Sequence, residues 1–418
     1  MKLRFGFGAG VQEADVPDKN LIGELHANPV PAGLTGEDEV LRALREPTGS
    51  PRLRDIVRPG EKVAVITSDI TRPMPTAKVM PALLDELYAG GVKAEDITLV
   101  FALGSHRRQT EEEHRKLAGE RAYREIRCID SDPDDCISFG TTSYGTPVEI
   151  TRAVAEADRR ICLGNIEYHY FAGYSGGAKA LMPGCSTRAA IQANHSRMVL
   201  PECCAGSLEN NPLRLDIEEA GRMVGIDFIL NVVLSEHKEI LKAVAGDPVL
   251  AHREGCAFLD QLYRIELPEA ADIVLVSQGG APKDLNLYQT QKALDNAKHA
   301  VKDGGVIILI GSCREGLGEK TFEEWMTAAK SPDELIERIR RDFRLGGHKA
   351  AAIAMVLKRA EVDLVSELED DFVRSVFLVP QPSAQAALDA AFAKLGPDAR
   401  VLSMPFGGST LPKIVGKE

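Results

Sequence analysis

K-V-A-V-I-T-S-D-I-T-R-P, residues 62–73, decides the fold class. Its first six residues, Lys62–Thr67, are largely apolar and follow the turn pair Pro59-Gly60, the pattern of a strand buried on both faces. Strands of that kind belong to parallel α/β sheets, which carry ligands just beyond the carboxyl ends of their strands. Asp69 and Arg72 fall there, ahead of Pro73, Pro75 and a helical pattern over Lys78–Tyr88. One reading makes the two a local ion pair at a helix start. The other makes Arg72 a fork for a substrate carboxylate.

The plan repeats downstream. Ile97–Leu103 is a second strand, followed by G-S-H-R at 104–107 and by T-E-E-E at 110–113, whose acids a capping pattern explains without function. His106 sits in the turn, either as a structural residue or as an acid or base near neutral pH. Ser131–Gly145, with D-P-D-D, reads as surface loop, and Thr151–Ala157 leads into a strand ending near Leu163.

That strand delivers N-I-E-Y-H-Y-F-A-G-Y-S-G-G-A-K-A-L-M-P-G, residues 165–184, a loop because Gly173, Gly176 and Gly177 disfavour a regular helix. Glycine-rich backbone can bring main-chain N–H groups close to an anion, which makes Gly176 and Gly177 candidate cofactor contacts. Lys179 is a point charge or an amine nucleophile. Ala178 and Ala180 stand where a Walker A loop needs its second glycine and its Ser or Thr, so ordinary ATP chemistry is disfavoured. His169, between two tyrosines, is either a packed structural residue or a catalyst. His195 lies in a polar stretch that could start a helix; N-N-P-L-R-L-D-I-E-E-A-G then suits a turn and helix, and Phe228–Leu234 is another strand.

A domain boundary falls at Ile265–Ala270, and a fresh strand, Asp272–Ser277, follows. Beyond it Gly279, Gly280 and Pro282 make a turn, and Gln289 and Lys292 share one helical face at i, i+3. A solvent-facing helix is the plain alternative. Strand Val306–Ile310 ends in G-S-C-R-E-G-L-G, which lacks the G-x-G-x-x-G fingerprint. Helical patterns cover Ser331–Arg341 and Lys349–Arg359, and strands near Phe377 and Val401 complete the chain.

With 418 residues the chain divides into two or three domains. A net charge of -12, with short and interrupted basic runs, argues against nucleic acid as a partner. The absence of a run of about 18 uncharged apolar residues argues against a membrane span. The N-terminus, M-K-L-R-F-G-F-G-A-G, lacks the pattern of a signal peptide, so a cytoplasmic location is expected. Eight cysteines are scattered without a C-x-x-C pair, and most read as buried, inert thiols.

S-D-I-T-R-P at 68–73, G-S-H-R at 104–107, H-Y-F-A-G-Y-S-G-G-A-K at 169–179, Asn194-His195 and N-L-Y-Q-T-Q-K at 286–292 stand in an order and spacing that resembles the nickel-dependent lactate racemase family over most of the chain. The resemblance implies two α/β domains with the active site in the interdomain cleft. The N-terminal domain would span 1–266 and be completed by 400–418, and the C-terminal domain would span 267–399. It implies a nickel-pincer nucleotide, nickel pyridinium-3,5-bisthiocarboxylic acid mononucleotide, bound covalently to Lys179 through a thioamide, with His195 as the remaining nickel ligand. His106 and His169 would be the acid/base pair, Arg72, Gln289 and Lys292 would bind substrate, and Asp69 and Tyr288 would be cofactor neighbours. The expected activity is racemisation or epimerisation of a small 2-hydroxy acid by proton-coupled hydride transfer through a 2-keto acid, and the partners include cofactor-biosynthesis enzymes.

Two alternatives stand beside this. The missing Rossmann fingerprint and absent H-E-x-x-H argue against a nicotinamide oxidoreductase or a metal hydrolase. A non-catalytic two-domain protein that binds an organic acid or nucleotide is the other. Which hydroxy acid is used turns on a few side chains; His348 and Lys349 either favour a further anionic group or simply begin a helix.

Overall fold

The computed structural model describes residues 1–31, 33–235 and 237–415. The chain forms two compact units: Val30–Gln261, and a second assembled from Met1–Pro29 and Leu262–Glu418.

In the middle unit a six-stranded sheet runs in the order Ile240–Gly246, Phe228–Leu234, Arg159–Asn165, Val63–Ser68, Ile97–Ala102, Arg127–Asp130. Every neighbouring pair is parallel except the first, a hairpin edge. The apolar run at Val63–Ser68 is central, as a strand buried on both faces must be. Its alternate residues Val63 and Val65 join Leu99, Phe101, Ile161, Leu163, Leu230 and Val232 in one core, and Ala64 and Ile66 are buried on the other face. Helix Thr76–Ala89 closes the first side with Val79, Met80, Leu83, Leu84 and Leu87, a stripe at helical spacing. The next helix, Glu111–Glu125, begins with the expected capping box between Thr110 and Glu113.

Two local expectations need correction. Ser131–Gly145 is not simply loop, because Cys136–Thr141 pairs antiparallel with Pro147–Thr151. His195 does not start a helix; it is the last residue of Arg188–His195, which Thr187 caps by accepting from the Ala190 N–H.

The terminal unit carries a second six-stranded sheet, all parallel, ordered Val379–Gln381, Glu361–Val365, Val301–Ile310, Ala271–Ser277, Val401–Met404, Leu21–Glu24. Leu3 and Phe5 of the hairpin Lys2–Phe7/Gly10–Asp15 share its core with Leu275, Ile308 and Leu388. The strand at Val401 was expected to complete the first domain. It pairs instead with Ala271–Ser277, Ile273 facing Val401, because the buried run V-L-S-M follows its crossover helix Ala384–Leu395 directly back to the same sheet. Residues 1–29 also belong to this unit, and 416–418 of the expected segment lie outside the described residues. Among the described residues no helix is long and apolar enough to cross a membrane.

Candidate active site

Strand ends of the middle unit gather most of the residues picked out above. Val63–Ser68 delivers Asp69 and Arg72, Ile97–Ala102 delivers His106, and Arg159–Asn165 delivers the loop with His169 and Lys179. The Gly104 N–H donates to the Gly184 carbonyl (2.9 Å), tying the His106 turn to the end of that loop.

Asp69 and His106 form a tight pair. His106 Nδ1 lies 2.5 Å from Asp69 Oδ2, while the Thr71 hydroxyl donates to Asp69 Oδ1 (2.6 Å). Asp69 is only 3% exposed. Burial alone would raise its carboxyl, but hydrogen bonds from His106 and Thr71, with the charges of His106 and Arg72, hold it below the usual carboxylate range. An ionised carboxylate at Nδ1 fixes the proton there and turns the lone pair of Nε2 outward, the arrangement of a general base. Asp69 therefore orients His106, rather than pairing locally with Arg72, whose side chain is exposed.

His169 occupies a two-residue hairpin, Tyr168–His169 against Gly173–Tyr174. Its Nδ1 accepts from the Ala172 N–H (3.2 Å), so the neutral ring carries its proton on Nε2, the opposite tautomer to His106. Phe171 is the hub of this region. Its ring contacts His169 (centroids 4.4 Å) and His195 (4.9 Å), and the Lys179 Nζ lies 5.8 Å from its centroid.

Lys179 follows on the short 3-10 turn Gly177–Ala180. Burial first, then the charges of Arg214 and Arg72, push its ammonium down to about 7, against a smaller opposing effect of Glu167. An amine of this kind is substantially neutral near pH 7 and nucleophilic.

A side chain at the loop's glycines would collide with neighbouring protein groups. A Cβ on Gly173 would stand 1.8 Å from the Ser207 carbonyl oxygen, and one on Gly177 would stand 2.6 Å from Arg214 Nη2. The Gly177 N–H already donates to Asn231 Oδ1 (2.7 Å), so it is not available to an anion as expected. A Cβ on Gly176 would meet the same oxygen at 2.7 Å.

His195 is buried, and its Nδ1 lies 2.9 Å from Asn194 Oδ1. The Asn194 Nδ2 donates to Asp216 Oδ2 (2.7 Å) and the Leu213 carbonyl, which fixes the amide orientation and hence Nδ1–H on His195. Nε2 then carries the ring's lone pair, held by a hydrogen-bonded chain of the kind that supports metal-binding imidazoles. Thr142 and Thr146 donate to Asp216 in turn (both 2.6 Å).

Several supporting residues had no assigned role in the sequence. Arg214, fully buried, donates to Glu218 Oε1 (2.8 Å) and to His252, and its Nη1 reaches the Tyr174 and Gly176 carbonyls. His252, whose Nε2 donates to the Ser175 carbonyl (2.8 Å), is held well below ordinary histidine by burial and then by Arg214. Asn231 could have been noticed, since F-I-L-N-V-V-L places one amide inside a run buried on both faces. Arg214 and His252 could not, because nothing local marks a helical arginine or histidine as interior.

Tyr288, Gln289 and Lys292 lie in the terminal unit, on helix Leu287–Ala297, where Asn286 caps by accepting from the Gln289 N–H. Lys292 is exposed. His348 and Lys349 are buried near the start of helix Gly347–Leu357; the Lys349 ammonium donates to the Tyr288 carbonyl and lies 4.0 Å from its ring centroid.

A family model described as the lactate racemase N-terminal domain matches residues 7–205, and one described as the lactate racemase C-terminal domain matches 267–411. The chain is 33% identical to a lactate racemase of Thermoanaerobacterium thermosaccharolyticum, with 98% of each covered. It is 32% identical to one of Lactiplantibacillus plantarum, over 96% of this chain and 97% of that one. The solved lactate racemase apoprotein of T. thermosaccharolyticum aligns with a TM-score of 0.89 at 32% identity, over 99% of this chain and 100% of that one. A solved protein of Thermotoga maritima shares the fold, with a TM-score of 0.63 at 21% identity, over 91% and 100%.

Proposed function

We propose that this chain, which belongs to the lactate racemase family, is an isomerase that interconverts the enantiomers of a small 2-hydroxy acid. The observation that carries the reading is the Asp69–His106 pair, an imidazole with a carboxylate behind Nδ1 and its basic Nε2 turned outward. Around Phe171 in the same unit lie the second imidazole, His169, the amine of Lys179 and the oriented ring of His195.

These side chains suit the nickel-pincer nucleotide that the resemblance implies. Among the described residues no group of three or more His, Cys, Asp or Glu is placed to hold a metal, so nickel at His195 would need its other ligands from a bound group. Lys179, with its depressed ammonium, is the amine to be acylated as the tether, and the cofactor-biosynthesis enzymes are the expected source of the group. When bound, the group supplies a hydride acceptor, which spares C2 a carbanion beside the substrate carboxylate.

The remaining steps belong to the chain. His106 Nε2 takes the hydroxyl proton of one enantiomer as the C2–H bond breaks and the carbonyl of a 2-keto acid forms. His169 has the corresponding role for the other enantiomer, for which its ring must release the Ala172 N–H and take the other tautomer. Arg72 is assigned to the substrate carboxylate, where a guanidinium fork fixes orientation as well as charge. Gln289 and Lys292 are assigned as further substrate contacts and Tyr288 as a cofactor neighbour, on the resemblance of their motif.

Enantiomer-resolved chromatography on cofactor-loaded protein tests the reading. The wild type is expected to take either enantiomer to an equal mixture, and His106→Ala and His169→Ala each to lower kcat by about 10²-fold or more in both directions. A variant with undiminished rate removes that histidine from the mechanism, and a loaded wild type that binds both enantiomers but interconverts neither contradicts racemisation.

A further inference from the structure

We infer that Asp260 is a positioning residue for His169, acting through a pair of tyrosine hydroxyls that clamp the His169 hairpin from both strands. This rests on the reading of His169 as an acid/base residue.

The hairpin is minimal. Only two residue pairs form it, Tyr168 with Tyr174 and His169 with Gly173, and ladders so short do not hold a side chain steady by themselves. Tyr168 and Tyr174 face each other with ring centroids 5.4 Å apart. Both hydroxyls donate to the same carboxylate oxygen, Asp260 Oδ1, at 2.8 Å from Tyr168 and 2.7 Å from Tyr174. One acceptor therefore joins the strand before the turn to the strand after it; His169 follows anchored Tyr168 in the chain, and its cross-strand partner Gly173 precedes anchored Tyr174.

Satisfying a buried phenol would explain Tyr174 alone, since that side chain is 1% exposed. It does not explain the second hydroxyl on the same oxygen, from a residue that is only half-buried. Asp260 stands on helix Leu250–Tyr263, which also carries His252, the donor to the Ser175 carbonyl directly after the hairpin. The helix thus holds the hairpin at its ring tips and again at its exit. Lys179 follows a stretch that Asn231 also fixes, through the Gly177 N–H, which gives loading a support that does not pass through Asp260.

Asp260→Ala, Asp260→Asn, Tyr168→Phe and Tyr174→Phe test the inference, with intact mass to count loaded protein. Asp260→Ala is expected to lower kcat per loaded molecule about tenfold or more with KM within about twofold, while loading stays at the wild-type level. Asp260→Asn keeps an acceptor oxygen and is expected to restore most of the rate. Tyr168→Phe is expected to cost nothing further in the Asp260→Ala background, the non-additivity of residues acting as one unit. In the unloaded chain labelled with ¹⁵N-histidine, the His169 ring signals, identified by their loss in His169→Gln, are expected to shift or broaden in Asp260→Ala and to return in Asp260→Asn. Unchanged ring signals with wild-type kcat in Asp260→Ala overturn the inference, as does a rate loss that follows only the folded fraction by circular dichroism. If His169→Ala is itself fully active, the assigned role of His169 fails, and the ring signals still decide whether Asp260 positions the side chain.

Discussion

An amine is acylated through its lone pair, and the surroundings of Lys179 make that lone pair available near neutrality. Its ammonium is pushed down to about 7 by burial and then by Arg214 and Arg72. An amine-selective reagent followed by site-resolved mass spectrometry on unloaded protein should therefore label Lys179 with a midpoint near pH 7, well below exposed lysines; a midpoint near 10.5 contradicts the environment described. The same depression opposes folding. Between about 7 and 10.5 the unfolded chain binds a proton that the folded chain does not, so this contribution to stability rises with pH through that window and is least favourable below it. The residue types at 106, 169 and 179 drew notice because they are chemically costly and lie beyond strand ends, whereas His195 closes a helix. The pairing was not legible: Asp69 is 37 positions from His106, and only adjacent parallel strands bring them together.

A hairpin this short depends on backbone that side chains rarely tolerate, and Gly173 has a φ of 76° with the Ser207 carbonyl where a Cβ would go. Gly173→Ala should lower stability by about 1–3 kcal/mol from backbone strain, with further loss from the clash, and should reduce kcat by displacing His169. A melting temperature and kcat equal to wild type would contradict that account. Regular elements were the easier part of the sequence. Phe228–Leu234 was readable because a run buried on both faces has no competing pattern, and Thr110 because its capping box is local. The hairpin Cys136–Thr141/Pro147–Thr151 was not, since its first strand buries no residue fully and a bulged register blurs the alternation. Glycines at 176 and 177 look alike in the sequence whether they approach an anion or a protein neighbour, and here they approach Asn231 and Arg214.

Two α/β units follow from the number of apolar strands, but their membership depends on which sheet each terminal segment joins. Strand Leu21–Glu24 is half-buried throughout and pairs with Val401–Met404 across nearly the whole length of the chain, a relation that no local pattern records. Deleting residues 1–16 removes Leu3, Phe5, Ala14 and Val16 from the terminal unit's core, where a buried Leu or Phe contributes about 1.5–3 kcal/mol. Hydrogen exchange should then accelerate in Ala271–Ser277 and Val301–Ile310 while Val63–Ser68 stays protected; the reverse pattern would return the N-terminal segment to the middle unit. The central claim concerns Lys179 and is tested most directly by intact mass and nickel content of protein produced with the cofactor-synthesis enzymes, beside Lys179→Ala produced identically. The account predicts a nucleotide-sized mass increase with about one nickel per chain in the wild type, both lost in the variant. Unmodified, nickel-free wild type under conditions that load a lactate racemase, or a variant that carries the same added mass, would contradict it.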